Sequence, residues 1–165
     1  MRRLAAAGYE ALLLGAVLLL AGLVLAPAIS PAPGASVHRP LPIPSFAARA
    51  LSFAALLGVG ALYFGWSWSG GRRTLPMKTW RMRLVRRDGA AVTPRTALLR
   101  YGAAWIGPAA ALLAYAALAP GGHGGAAPWL AALNYAWALV DPAGLFLHDR
   151  IAGTRIVADP PPHPA

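Results

Sequence analysis

Residues 4–26 read LAAAGYEALLLGAVLLLAGLVLA, a run of 23 residues interrupted by a single charge, Glu10. As a helix rising about 1.5 Å per residue it reaches about 34 Å, enough to cross the roughly 30 Å hydrocarbon core of a bilayer. Arg2 and Arg3 precede it, and Ala26-Pro27-Ala28 follows with the small residues of a signal-peptide cleavage site. The apolar part of a signal peptide spans only about 7–15 residues, and an acid in its second turn would not suit it. The run is therefore read as a retained membrane span.

Three more apolar blocks follow. Phe46–Trp68 starts after the proline-rich linker Pro27–Ser45, with Ser45 placed to cap its first turn. It ends in Tyr63, Phe64, Trp66 and Trp68, amphipathic rings that suit the membrane–water boundary. Ala97–Ala119 carries Arg100 and Tyr101 as anchors near its start and Pro108 as a kink. Trp129–Val140 is shorter, and it continues to Leu147 only if Asp141-Pro142 is tolerated inside it. The fold expected is an all-α integral membrane protein with three to four transmembrane helices.

Composition agrees. Of 165 residues, 58% are hydrophobic and 12% charged, against about 25% charged in a soluble domain. Cysteine is absent, so disulfides, thiolate metal sites and cysteine nucleophiles are excluded. The 18 glycines and 16 prolines form no internal repeat. A net charge of +10 would suggest nucleic acid in a soluble protein. Here the basic residues flank apolar blocks, so the anionic headgroups of the bilayer are the expected partner and nucleic acid is not.

Between the second and third blocks, Ser69–Arg95 holds Arg72, Arg73, Lys78, Arg81, Arg83, Arg86, Arg87 and Arg95 against the single acid Asp88. Trp80, Met82 and Leu84 alternate with Arg81 and Arg83, a period of two that predicts a strand; Met77, Trp80 and Leu84 would also share one face of a surface helix. Asp88-Gly89 reads as a turn. Arg83-Leu84-Val85 and Arg155-Ile156-Val157 are both short and flanked by turn residues. Each alone would be an unpaired edge, so they are expected to pair as a small cytoplasmic β element. The side is set by charge. Placing both termini and Ser69–Arg95 together collects thirteen basic residues there and leaves Arg39 and Arg49 opposite, and the basic side is the cytoplasm. The expected location is the inner membrane, with both termini cytoplasmic.

Glu10 is the residue that invites a functional reading. An ionised acid two turns inside a span must be paired, protonated or facing water. Arg3 lies seven residues earlier on the same helical face. Its carboxylate is expected to point inward, toward Arg3 or another cytoplasmic basic residue. Gly8, Gly15 and Gly22, joined by Ala11, form a small-residue stripe opposite Glu10 that would let another helix approach. Asn134 and Asp141, also seven apart, complete an expected intramembrane polar site with Glu10. No nucleophile–base set, paired-histidine zinc signature or phosphate-binding glycine loop is found, and His123 is a lone ligand type. No enzymatic activity, cofactor or metal is expected.

Three segments resemble the RDD family of bacterial membrane proteins, named for one arginine and two aspartates. They are Arg2-Arg3-Leu4-Ala5-Ala6 with the acid at position 10; Gly70-Gly71-Arg72-Arg73-Thr74-Leu75-Pro76-Met77-Lys78 with Arg83-Leu84-Val85, Asp88-Gly89 and Arg95–Arg100; and His148-Asp149-Arg150-Ile151-Ala152-Gly153-Thr154-Arg155-Ile156-Val157. The resemblance puts the family arginine at Arg3, the first acid at Glu10, one methylene longer than the family aspartate, and the second aspartate at Asp149. It implies an RDD-like membrane domain over residues 1–157, followed by a disordered proline-rich tail at 158–165. The family is mostly of unknown function, with transport, including cation/proton exchange, suggested for some members. Two functions are carried forward. One is a small transporter or cation/proton-coupled exchanger, working as a homo-oligomer because three or four helices make a thin wall. The other is a non-catalytic module that binds or regulates another membrane protein.

Overall fold

The computed structural model of the chain describes residues 2–29 and 45–159, with only the backbone described for residues 2, 3 and 27–29. Helix α1 is Arg2–Ile29 and α2 is Phe46–Trp68, so both expected spans form as unbroken helices. The middle of the proline linker and the tail from Pro160 lie outside the described residues. The chain divides into two units, residues 1–63 and 64–165, with the boundary inside α2. The last turn of α2 thus belongs with everything that follows it.

In the first unit, α1 and most of α2 are apolar around their whole circumference. Leu12, Leu19 and Val24 of α1 are each at least 74% exposed, an apolar surface that only lipid or another helix can cover. No Cβ placed at Gly8, Gly15 or Gly22 would meet a neighbour within 4 Å, so the chain's described residues leave the glycine stripe open.

The second unit opens where α2 ends. The Arg72 guanidinium donates from Nε to the Trp66 carbonyl at 2.7 Å and from Nη2 to Ser69 Oγ at 2.8 Å, and it lies 4.0 Å over the Trp66 ring. One side chain therefore satisfies a helix-end carbonyl and fixes the exit of the chain. The short helix α3, Leu75–Thr79, starts at a Thr74 cap with proline at its second position. Strand β1, Met82–Arg86, follows, so the segment divides into helix and then strand, with Arg81 at φ 50° where the two meet.

Strand β1 pairs antiparallel with β2, Thr154–Ala158, with Arg83 opposite Val157, Leu84 opposite Ile156 and Val85 opposite Arg155. The expected pairing of the two short segments is met residue for residue. Met82, Leu84 and Ile156 are buried while Arg83 and Arg155 face out, so the period-two reading holds over Met82–Leu84; Trp80 ends α3 instead, and Val85 is buried beside Leu84. A two-stranded ribbon is marginal alone, and its buried face is what holds it to the helices. Strand β2 runs one residue past the expected domain end at Val157. Asp88-Gly89 makes a turn with Gly89 at φ 84°, but the returning chain forms one bridge, Val85 to Ala91, and no second strand.

The third apolar block becomes α4, Pro94–Ala104, capped by Thr93, and α5, Ile106–Leu118, with a break at Trp105. Pro108 explains the break. It has no N–H for the carbonyl of Ala104 and its ring crowds that carbonyl. The freed oxygen accepts 2.7 Å from Asn134 Nδ2. At Gly107 an added Cβ would stand 2.7 Å from the Ala131 carbonyl, so glycine is what lets residues 130–131 lie against the break.

The fourth block, which would continue to Leu147 only if Asp141-Pro142 were tolerated inside it, does not form one continuous helix. Residues 124–132 form a 3-10 helix that folds back on α5. Helix α6, Leu133–Ala136, a 3-10 turn at 137–139, helix α7, Leu147–Ala152, and β2 then complete the chain. Pro128 and Asp141-Pro142 interrupt the segment, and the 3-10 winding shortens what remains. Among the described residues, three helical stretches are long and apolar enough to cross a membrane by length and composition: Leu4–Ala26, Phe46–Trp68 and Pro94–Gly121. The fold is that of an all-α membrane protein with three such helices and a small two-stranded β element.

Candidate functional site

The second unit buries one ion cluster, at the junction of α4, α7 and β2. Arg100 comes from the second turn of α4. It reaches α7, where Nε donates to Asp149 Oδ1 at 2.7 Å and Nη2 meets His148 Nε2 at 3.2 Å. Thr154, the first residue of β2, donates its hydroxyl to the same Asp149 oxygen at 2.8 Å. Gly153, at φ 65°, ends α7 in the left-handed conformation that lets β2 start one residue later. The Arg100 guanidinium also lies 4.1 Å over the ring of Trp68, at the end of α2. Phe64 stacks on Trp68 and lies tilted against Tyr101. The Arg100 and Asp149 side chains are 4% and 3% exposed, so this pair is fully withdrawn from water.

Burial pushes the Asp149 carboxyl up, but the Arg100 and His148 charges and the hydrogen bonds from Arg100 and Thr154 outweigh it. Asp149 is held below the usual carboxylate range. Burial and the Arg100 charge push His148 down to about 4, against the pull of Asp149. Arginine only donates, so His148 Nε2 accepts and its proton sits on Nδ1, which is buried without a hydrogen-bond partner. At neutral pH the cluster is one cation, one anion and one neutral imidazole, with its charges matched.

Asn134 and Asp141 are both buried but do separate work. Asn134 holds the Ala104 carbonyl, leaving its own Oδ1 buried without a hydrogen-bond partner. Asp141 Oδ2 accepts the N–H groups of Ala143 and Leu145, each at 3.0 Å, and Oδ1 lies 3.5 Å from Arg150 Nη1. The Leu145 N–H first, then that of Ala143 and the charges of Arg150 and Arg87, hold its carboxyl below the usual range against burial. The shared helical face expected from their spacing is lost because the chain between them leaves the α-helix at Trp137. In each case the polar group supports an interrupted backbone.

Glu10 belongs to the first unit. It is half-buried. The side chain of Arg3, its expected partner, lies outside the described residues. Among the described residues, no three His, Asp or Glu side chains come together as a metal-binding group.

Arg100 is the residue whose role the sequence reading missed. It looked like a headgroup anchor, but it is 3% exposed. Its place inside an apolar block was the available signal, since a charge there calls for a named counter-charge. Asp149, the most motif-like acid outside the spans, was the natural choice.

The family model described as the RDD family matches residues 1–153. No curated protein matches the chain, and no solved structure matches it.

Proposed function

The chain belongs to the RDD family, and from that premise we propose that it is a small ion-coupled transporter or cation/proton exchanger. It would be a multi-pass protein of the bacterial inner membrane with both termini cytoplasmic. The observation that carries the transport reading is Glu10, a half-buried acid two turns inside a span of mean hydropathy 2.2. An ionisable group inside a span is costly to bury, which makes it the default candidate for a functional site. The Arg100–His148–Asp149 cluster is the poorer coupling site. Its charges are matched and its histidine is neutral, so it has no proton to exchange near neutral pH. It is a clamp that fixes α7 and the β ribbon to α4, and ion coupling falls to Glu10. Three spans are few for a transport path, which favours a homo-oligomer. The proposal gives the protein no enzymatic activity and no nucleic-acid partner.

The topology rests on the basic asymmetry. A cysteine placed at Asp88 should resist a membrane-impermeant thiol reagent in intact cells and react once the membrane is opened. Labelling in intact cells would overturn the orientation.

The function is tested in proteoliposomes. The parent is expected to move a monovalent cation against a pH gradient, and Glu10→Gln to fold normally while the pH dependence of flux disappears. Flux with unchanged pH dependence in Glu10→Gln would remove Glu10 from the mechanism. No flux of any ion by the parent would favour the second reading, a non-catalytic module that binds another membrane protein. The open glycine stripe of α1 supports that alternative.

A further inference from the structure

An open cleft of about 340 Å³ lies beside the first turn of α4, lined by Arg86, Arg87, Asp88, Thr96, Ala152 and Gly153. We propose that this cleft holds the phosphate of an anionic phospholipid headgroup. The charge fits. Arg86 is paired with Asp88 at 2.7 Å, which leaves Arg87 as the lining cation with no carboxylate within ion-pair distance among the described residues, although its charge also acts on Asp141 from further off. Arg87 is fixed there by its backbone N–H to the Gly153 carbonyl at 3.0 Å and by one Nη2 bond to the Arg150 carbonyl at 3.2 Å. Arg150, the neighbouring cation, is turned toward Asp141. The Thr96 hydroxyl shares one hydrogen bond with Thr93, at 2.9 Å, and keeps capacity for another. Two guanidinium groups, one carboxylate and a hydroxyl form a cup for one phosphate with a single net positive charge. They do not form the long basic stripe that would track a nucleic acid.

Position selects the lipid as the source of that phosphate. Thr96 is the third residue of the Pro94–Gly121 stretch, which is long and apolar enough to cross a membrane. The cleft therefore opens where that helix would enter the bilayer. At the end of α2, Trp66 stands 68% exposed under the Arg72 guanidinium, an interfacial pairing of ring and cation. At this level the headgroup phosphates are the most concentrated anions available. The acyl chains would run along the outer face of α4 and α5, where Leu98, Leu99, Leu112 and Leu113 are exposed.

The test uses the full chain in detergent micelles doped with phosphatidylglycerol or phosphatidylcholine, with bound lipid counted by native mass spectrometry. Phosphatidylglycerol should be retained in preference to phosphatidylcholine, and Arg87→Gln should weaken retention about fivefold, as expected for one interfacial arginine. Thr96→Val, which keeps every charge, should weaken it as well, so the outcome does not hang on one variant. Arg83→Gln removes an equal charge from exposed β1 and should leave retention unchanged. Equal retention of both lipids overturns the proposal, as does equal loss with Arg83→Gln or unchanged retention in both cleft variants. Full displacement by millimolar inorganic phosphate would also overturn it, since the cleft would then be a site for the free anion.

Discussion

Asp149→Leu is expected to destabilise the protein by about 3–5 kcal/mol, the range for removing one partner of a buried ion pair. The substitution strands the Arg100 guanidinium at 4% exposure and takes the acceptor from Thr154. The aromatic face of Trp68 remains beneath the cation, but a ring does not replace a carboxylate at 2.7 Å. Arg100→Leu should cost a similar amount by stranding the anion. The double variant Arg100→Leu/Asp149→Leu removes both charges together. It should recover to within about 1–3 kcal/mol of the parent, the residue being the unpartnered Thr154 hydroxyl. Thermal unfolding in detergent supplies the double-mutant cycle. Additive losses in the double variant would show that the two side chains do not stabilise one another. The stake for function is placement, because the pair joins the only described sheet to a candidate span.

Much of this architecture could be read from the chain because it depends on local pattern. Three blocks with few charges gave three candidate spans, the third broken into α4 and α5, and the second formed over the residues expected, Phe46–Trp68. The ribbon was legible because Leu84 and Ile156 each sit in short alternating stretches that need an edge partner. Pro108 announced its break, since a missing N–H acts wherever the helix lies. The failures share a different cause. Nothing local says that the Ala104 carbonyl freed by Pro108 will be taken by Asn134, thirty residues on, and that contact helps to hold 124–136 against α5. Arg100 looked interfacial because its counter-charge lies 49 residues away on α7. Asp149 was chosen through its motif, but its role as the acceptor for both Arg100 and Thr154 required three elements to converge. Long-range pairing of polar groups was the information that periodicity and charge counts did not contain.

The stability of the protein should fall by about 3 kcal/mol as pH drops from about 6.5 to about 4, and His148 should account for the fall. The sign follows from proton binding. The folded protein keeps His148 neutral down to about 4, while in the unfolded chain the imidazole takes up a proton near its ordinary value of 6.5. Between those values the unfolded state binds more protons, so acid favours unfolding. The groups facing the ring are Arg100, which resists a second positive charge, Asp149, which is already committed to Arg100 and Thr154, and the rings of Tyr135 and Phe146. Asp149 does not share this window. Its carboxyl is held below the usual range, so its contribution is complete above the ordinary carboxylate value and is lost only as the pH falls further. His148→Gln can still accept from Arg100 but cannot titrate. The variant should therefore show a flat stability profile from pH 6.5 to 4.5 in detergent, where the parent declines. A parent profile already flat over that window would mean that the imidazole is protonated in the folded cluster. The clamp would then carry an additional positive charge beside Arg100, and the argument that leaves ion coupling to Glu10 would lose its footing.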